Sequence, residues 1–109
     1  MAQTYKVLGQ VAPSAATLTT LYTVPASTST VVSSITVSNS SAVATTFRLS
    51  IQVAAAADNA KQYIAYDNAI AGNTTVSFTI GLTLATTDVV KCYATLATVA
   101  FNIFGSEIT

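Results

Sequence analysis

The chain of 109 residues has no histidine, one cysteine, and only four basic and four acidic side chains. Without histidine, the commonest general base and metal ligand is missing. The serines and Cys92 therefore have no base to activate them in a standard triad. Zinc sites need clustered Cys and His, which are absent. The four glycines, Gly9, Gly72, Gly81 and Gly105, are too far apart for a phosphate-cradling loop. Lys6, Arg48, Lys61 and Lys91 are scattered, whereas nucleic-acid binding needs clustered positive charge. The longest apolar run, residues 53–57, is far shorter than the ~20 residues of a membrane-spanning helix. No continuous apolar stretch follows Met1-Ala2-Gln3-Thr4-Tyr5-Lys6, so the start does not read as a secretory leader. A lone cysteine forms no intrachain disulfide, which suits folding in a reducing cytoplasm. These absences predict a protein with no enzymatic activity and no cofactor.

Just over half of the residues are hydrophobic and 7% are charged, against about 25% charged in an ordinary soluble domain. Disorder requires low hydrophobicity and high net charge, the opposite of this composition. The length suits one domain, residues 1–109. A folded chain of this mass exposes roughly 5,700 Å², leaving about one charge per 700 Å². With zero net charge as well, little repulsion keeps copies apart. The composition thus favours a domain that buries part of its surface in an assembly, with a homo-oligomer among the expected states.

Alternation with period two dominates the chain and marks half-buried strands. Val31, Ile35 and Val37 share one expected face, with Val32 interrupting a Ser/Thr outer face. Phe47, Leu49, Ile51 and Val53 alternate with Arg48, Ser50 and Gln52. Val76, Phe78 and Ile80 form a third apolar row, and Val99, Phe101 and Ile103 a fourth. Further strands are expected over residues 5–8, 18–24, 62–66 and 89–96, where β-branched and aromatic residues are frequent. Pro25, Asn39-Ser40-Ser41, Asp58-Asn59, Asp67-Asn68 and Gly72-Asn73 punctuate them. The pattern predicts an all-β chain: a single β-sandwich, jelly-roll-like or immunoglobulin-like, of about eight short antiparallel strands. Residues 1–16 are either part of it or an extended N-terminal arm.

Few side chains stand out as functional. Asp58 and Asp67 flank one expected strand and Asp88 opens another, as turn residues and solvated strand ends do. Asn39-Ser40-Ser41 and Asn73-Thr74-Thr75 match glycosylation sequons but read as turns. Cys92 reads as a small buried hydrophobe. Tyrosine suits interfaces, joining an apolar ring to a hydrogen-bonding tip. Tyr5, Tyr63 and Tyr66 are therefore the candidate interface residues. Their odd separation puts Tyr63 and Tyr66 on opposite faces of a regular strand.

Three segments carry a resemblance. Leu21-Tyr22-Thr23-Val24-Pro25 is followed by Val31-Val32-Ser33-Ser34-Ile35-Thr36-Val37-Ser38-Asn39 and by Thr45-Thr46-Phe47-Arg48-Leu49-Ser50-Ile51. Together these resemble the opening of small β-sandwich virion structural proteins of tailed bacteriophages. The ending, Thr87-Asp88-Val89-Val90 through Phe101-Asn102-Ile103-Phe104-Gly105, is similar to theirs as well. The resemblance spans most of the chain beyond residue 17 and carries over no functional residue. It implies a virion component made in the host cytoplasm, with other virion proteins as partners. A capsid decoration or cement protein on the major capsid shell is the leading expectation. A neck, baseplate or tail-fibre adaptor and a host-surface carbohydrate-binding module are the alternatives, and neither nucleic acid nor membrane is an expected partner.

Overall fold

A computed structural model describes residues 2–109. Nine strands form: β1 (Gln3–Val11), β2 (Thr19–Thr23), β3 (Ser29–Asn39), β4 (Thr45–Gln52), β5 (Tyr63–Ile70), β6 (Thr74–Phe78), β7 (Leu82–Leu84), β8 (Val89–Ala94) and β9 (Val99–Ile108). One sheet has the order β1-β9-β3-β6, with β7 also paired to β3; the other has the order β2-β8-β4-β5. All pairings are antiparallel. The pairs are nested, β1 with β9, β2 with β8, β3 with β6 and β7, β4 with β5, and successive pairs alternate between sheets. A long hairpin wound over itself gives this order, which is the jelly roll. β6 and β7 occupy one lane beside β3, separated by Gly81 at φ +64°, so nine strands fill eight lanes. The segment weighed as an arm contains β1, the edge strand bonded along β9.

Apolar rows from four strands close the core between the sheets, the one from β6, Val76 and Phe78, being partly buried against it. Phe47 and Leu49 from β4, Ile35 and Val37 from β3, and Phe101 and Ile103 from β9 are all buried. Phe47 meets Phe78 and Phe101 edge-on, with ring centroids 6.0 and 6.2 Å apart, the favoured arrangement of aromatic quadrupoles. Cys92 lies fully buried in the same core, and burial pushes its thiol up to about 12.

Three details depart from simple alternation. Val32, not Val31, faces the core: Val32 is 2% exposed and Val31 38%. The cause is a β-bulge. Val32 pairs with Gly105 and Ser34 with Phe104, so Ser33 is an extra residue that inverts the phase of β3. Val53 lies outside the core because β4 ends at Gln52 and a 3-10 turn, Val53–Ala55, follows. Ile80 is likewise exposed, since it falls in the gap between β6 and β7.

Two polar side chains hold the loops. The Asn39 amide donates to the carbonyls of Val43 and Ala71, while its oxygen accepts from Ser41 N and Thr98 Oγ1. Asn39 is buried, so its sequon is a loop anchor. The Asp88 carboxylate accepts from Ala54 N and Ala85 N, each at 2.9 Å. It thereby holds Ala54 and Ala55 at φ +53° and +59°, a region that costs an L-residue roughly 1–2 kcal/mol. Removing either side chain leaves several part-buried hydrogen-bond partners unpaired at once. Asp88→Ala and Asn39→Ala are each expected to lower the unfolding free energy by about 2–4 kcal/mol. Asp67→Ala, which removes an exposed ion pair, is expected to cost under about 1 kcal/mol. Denaturant titration reads all three, and equal losses would contradict these roles.

Candidate interaction surfaces

The outer face of the β2-β8-β4-β5 sheet carries a cluster of aromatic and charged groups. Arg48 on β4 lies opposite Tyr93 on β8, so the two share a face. Its guanidinium sits 4.2 Å from the ring centroids of both Tyr66 and Tyr93, which is cation–π geometry on two sides. Its Nε and Nη2 donate to the two carboxylate oxygens of Asp67 at 2.6 and 3.3 Å, and this pairing raises the pKa of Arg48.

Tyr63 and Tyr66 are also brought together here, contrary to the opposite faces expected from their spacing. Their rings meet edge-on with centroids 5.0 Å apart. Ser50 pairs with Tyr63 and Leu49 with Ala65, so Ile64 is an extra residue between them. That bulge restores Tyr66 to the face of Tyr63. A second irregularity, with Asp67 at φ +50°, sets its carboxylate against Arg48. Tyr63 donates its hydroxyl to Asp58 at 2.8 Å. Burial, with this hydrogen bond, pushes Tyr63 up to about 12.

Tyr5 does not join this cluster. It stands on the outer face of the other sheet and is 79% exposed. Pairing fixes its neighbours: Tyr5, Ser106 and Val31 form one cross-strand row, Val7, Phe104 and Ser34 the next, and Gln3, Ile108 and Ser29 the row at the end. The rows beyond are Gln10-Asn102-Thr36-Ser77 and Ala100-Ser38-Thr75. No Asp, Glu, Lys or Arg stands in any of these rows. Lys6 and Glu107 belong to the opposite face, where Lys6 Nζ donates to Glu107 Oε1 at 3.1 Å and Tyr22 donates to Glu107 Oε2 at 2.6 Å. The tyrosine bond, chiefly, holds the Glu107 carboxyl below the usual carboxylate range.

Arg48 and Tyr93 do not stand out in the sequence. Each reads as an ordinary outward strand residue, and only the β4–β8 register brings them together. The three aspartates do not converge: Asp58 binds Tyr63, Asp67 binds Arg48 and Asp88 binds backbone. Among the described residues, no group of three or more His, Cys, Asp or Glu is placed to hold a metal ion. Among them too, no helix is long and apolar enough to cross a membrane. A depression of about 520 Å³ lies beside the 3-10 turns, lined by Ile51, Val53, Ala56, Lys61 and Gln62. Its only charged lining group is Lys61.

The hydroxyl environments give a pH signature. Tyr22 is pushed up to about 12, first by burial and then by its bond to Glu107. For Tyr22 and Tyr63 the neutral form is favoured in the folded state. Their contribution is therefore complete below the unfolded value of about 10 and lost as pH rises through about 12. Ultraviolet titration is expected to show two of the five tyrosines ionising only near pH 12, with Asp58→Ala moving one of them down. Full tyrosine ionisation by pH 11 in the folded chain would contradict this geometry. The chain matches no family model, no curated protein and no solved structure.

Proposed function

We propose that the chain is a non-enzymatic structural component of a bacteriophage particle, a decoration or cement protein that binds the major capsid shell and strengthens it. The observation that carries this reading is the Tyr66-Arg48-Tyr93 stack with Tyr63 at its edge. Tyr and Arg dominate the energetics of protein interfaces. Here Asp67 and the two rings already hold the guanidinium, so little side-chain entropy remains to be lost on docking. The jelly roll is a frequent architecture of capsid domains, although a fold alone assigns no function. The resemblance of residues 21–51 and 87–105 to small virion proteins points the same way.

The non-enzymatic part rests on how the described side chains are engaged. The only thiol is fully buried, and each of the three aspartates is engaged in a separate contact.

A second reading is favoured by Tyr66, which is half exposed between Arg48 and Tyr63. Jelly rolls also serve as lectin domains, and a host-surface glycan could stack on that ring. Glycan-array binding by the purified chain, lost in Tyr66→Ala, would favour this alternative.

Quantitative mass spectrometry of purified particles tests the leading reading. A copy number comparable to that of the major capsid subunit is expected, reduced at least tenfold when Arg48→Ala replaces the natural residue. Absence from particles, or a copy number matching a single tail ring, would contradict it.

A further inference from the structure

We infer that the outer face of the β1-β9-β3-β6 sheet is a dimer interface, occupied by the same face of a second copy of this chain. The inference stands apart from the virion reading, because it concerns the opposite face from the Arg48 cluster.

Charge is the first argument. The described residues place every Asp, Glu, Lys and Arg off this face. Arg48, Asp67 and Lys91 lie on the other sheet, Asp58, Lys61 and Asp88 in the segments leading into its strands β5 and β8, and Lys6 and Glu107 are paired on the inward side. In an isologous contact the same patch meets itself, so any charge on it faces its own kind unless patterned. An uncharged face avoids that conflict altogether. Zero net charge adds no longer-range repulsion between copies.

Composition and size are the second. Tyr5, Val7 and Val31 are exposed apolar side chains, and Phe104 and Ile108 lie between them on β9. These five lie in three neighbouring rows toward the β1 side of the face, and Gln, Asn, Ser and Thr fill most of the rest of it, the mixture of apolar and polar area that specific interfaces carry. Four lanes about 4.8 Å apart, with roughly 3.3 Å per residue along the strand, and the 10-residue length of β9 give about 600 Å² of face. Two such faces bury about 1,200 Å², the lower bound for specific association.

The third argument removes the competing mode. Copies of a β domain often meet by pairing edge strands. Every edge here is interrupted: β1 by a bulge at Leu8, β2 by one at Leu21, β5 by two irregularities, and the last lane by the gap between β6 and β7. Such interruptions are the usual devices against edge pairing. Face-to-face stacking of sheets, about 10 Å apart, is the mode left open.

Sedimentation of the full chain tests the proposal. At tens of micromolar it is expected to sediment at twice the 11.2 kDa mass of the chain. Val31→Glu and Val7→Glu put a carboxylate on the face at exposed positions. Each is expected to weaken self-association at least 100-fold while leaving the far-ultraviolet circular dichroism unchanged. Tyr66→Ala, on the opposite face, is expected to leave self-association unchanged. Should either Glu variant fail to fold, nuclear Overhauser contacts between differently labelled copies are expected to connect Val7 and Val31 methyls across the interface. A wild-type monomer at tens of micromolar, or a dimer indifferent to both Glu variants, would overturn the proposal. A monomer found at capsid-like copy number in particles would remove the dimer and leave the virion reading intact; a dimer absent from particles would do the reverse.

Discussion

A β-strand presents its side chains with a period of two, and a single extra residue inverts every position beyond it. Five such irregularities shape this sandwich, on β1, β2, β3 and twice on β5. The most consequential lie on either side of β9. Leu8 bulges from β1 and Ser33 from β3 at nearly the same level of β9, on either side of Phe104. At β3 the insertion turns Val32 into the core and leaves Val31 outside. At β1, Leu8 packs against the core while Tyr5 and Val7 remain outward. The bulges thus assemble an exposed apolar patch from strands that also fill the core.

Close backbone approach follows from the same arrangement. A Cβ on Gly9 would lie 2.3 Å from the carbonyl oxygen of Leu21, where the bulges of β1 and β2 face each other. A Cβ on Gly105 would lie 2.1 Å from the carbonyl oxygen of Val31. These two glycines let the sheets close at one side and let β3 cross tightly beside β9. The edges that result are bent and interrupted, so the surfaces left for partners are faces. One is uncharged and carries an exposed apolar patch; the other carries the locked tyrosine–arginine stack. That division is the physical basis for assigning the two faces to different partners.

Much of the core could be read directly from residues. Phe47, Leu49, Phe101 and Ile103 alternate cleanly and lie at 0–1% exposure. What the pattern could not supply was phase across an insertion. Nothing local marks Ser33 or Ile64 as extra, because a bulge is defined by the partner strand's register. Simple alternation therefore exchanges Val31 with Val32 and separates Tyr63 from Tyr66. Ile80 continues an apolar row in sequence but follows the break that Gly81 completes. Asn39 and Asp88 were visible as turn residues, yet their roles as loop anchors depend on carbonyls and amides distant along the chain. Of the three candidate tyrosines, two proved to share a cluster, and the third marks the opposite face. The central residue of that cluster, Arg48, is polar in a polar row and gains its meaning only beside Tyr93.

The central claim is that the two outer faces differ in what covers them. Solvent paramagnetic relaxation, recorded by nuclear magnetic resonance on the full chain at high concentration, measures that difference most directly. The account predicts strong broadening at Tyr66 and little at Val7 and Val31, with the protection disappearing on dilution. Equal broadening of both faces at every concentration would contradict it.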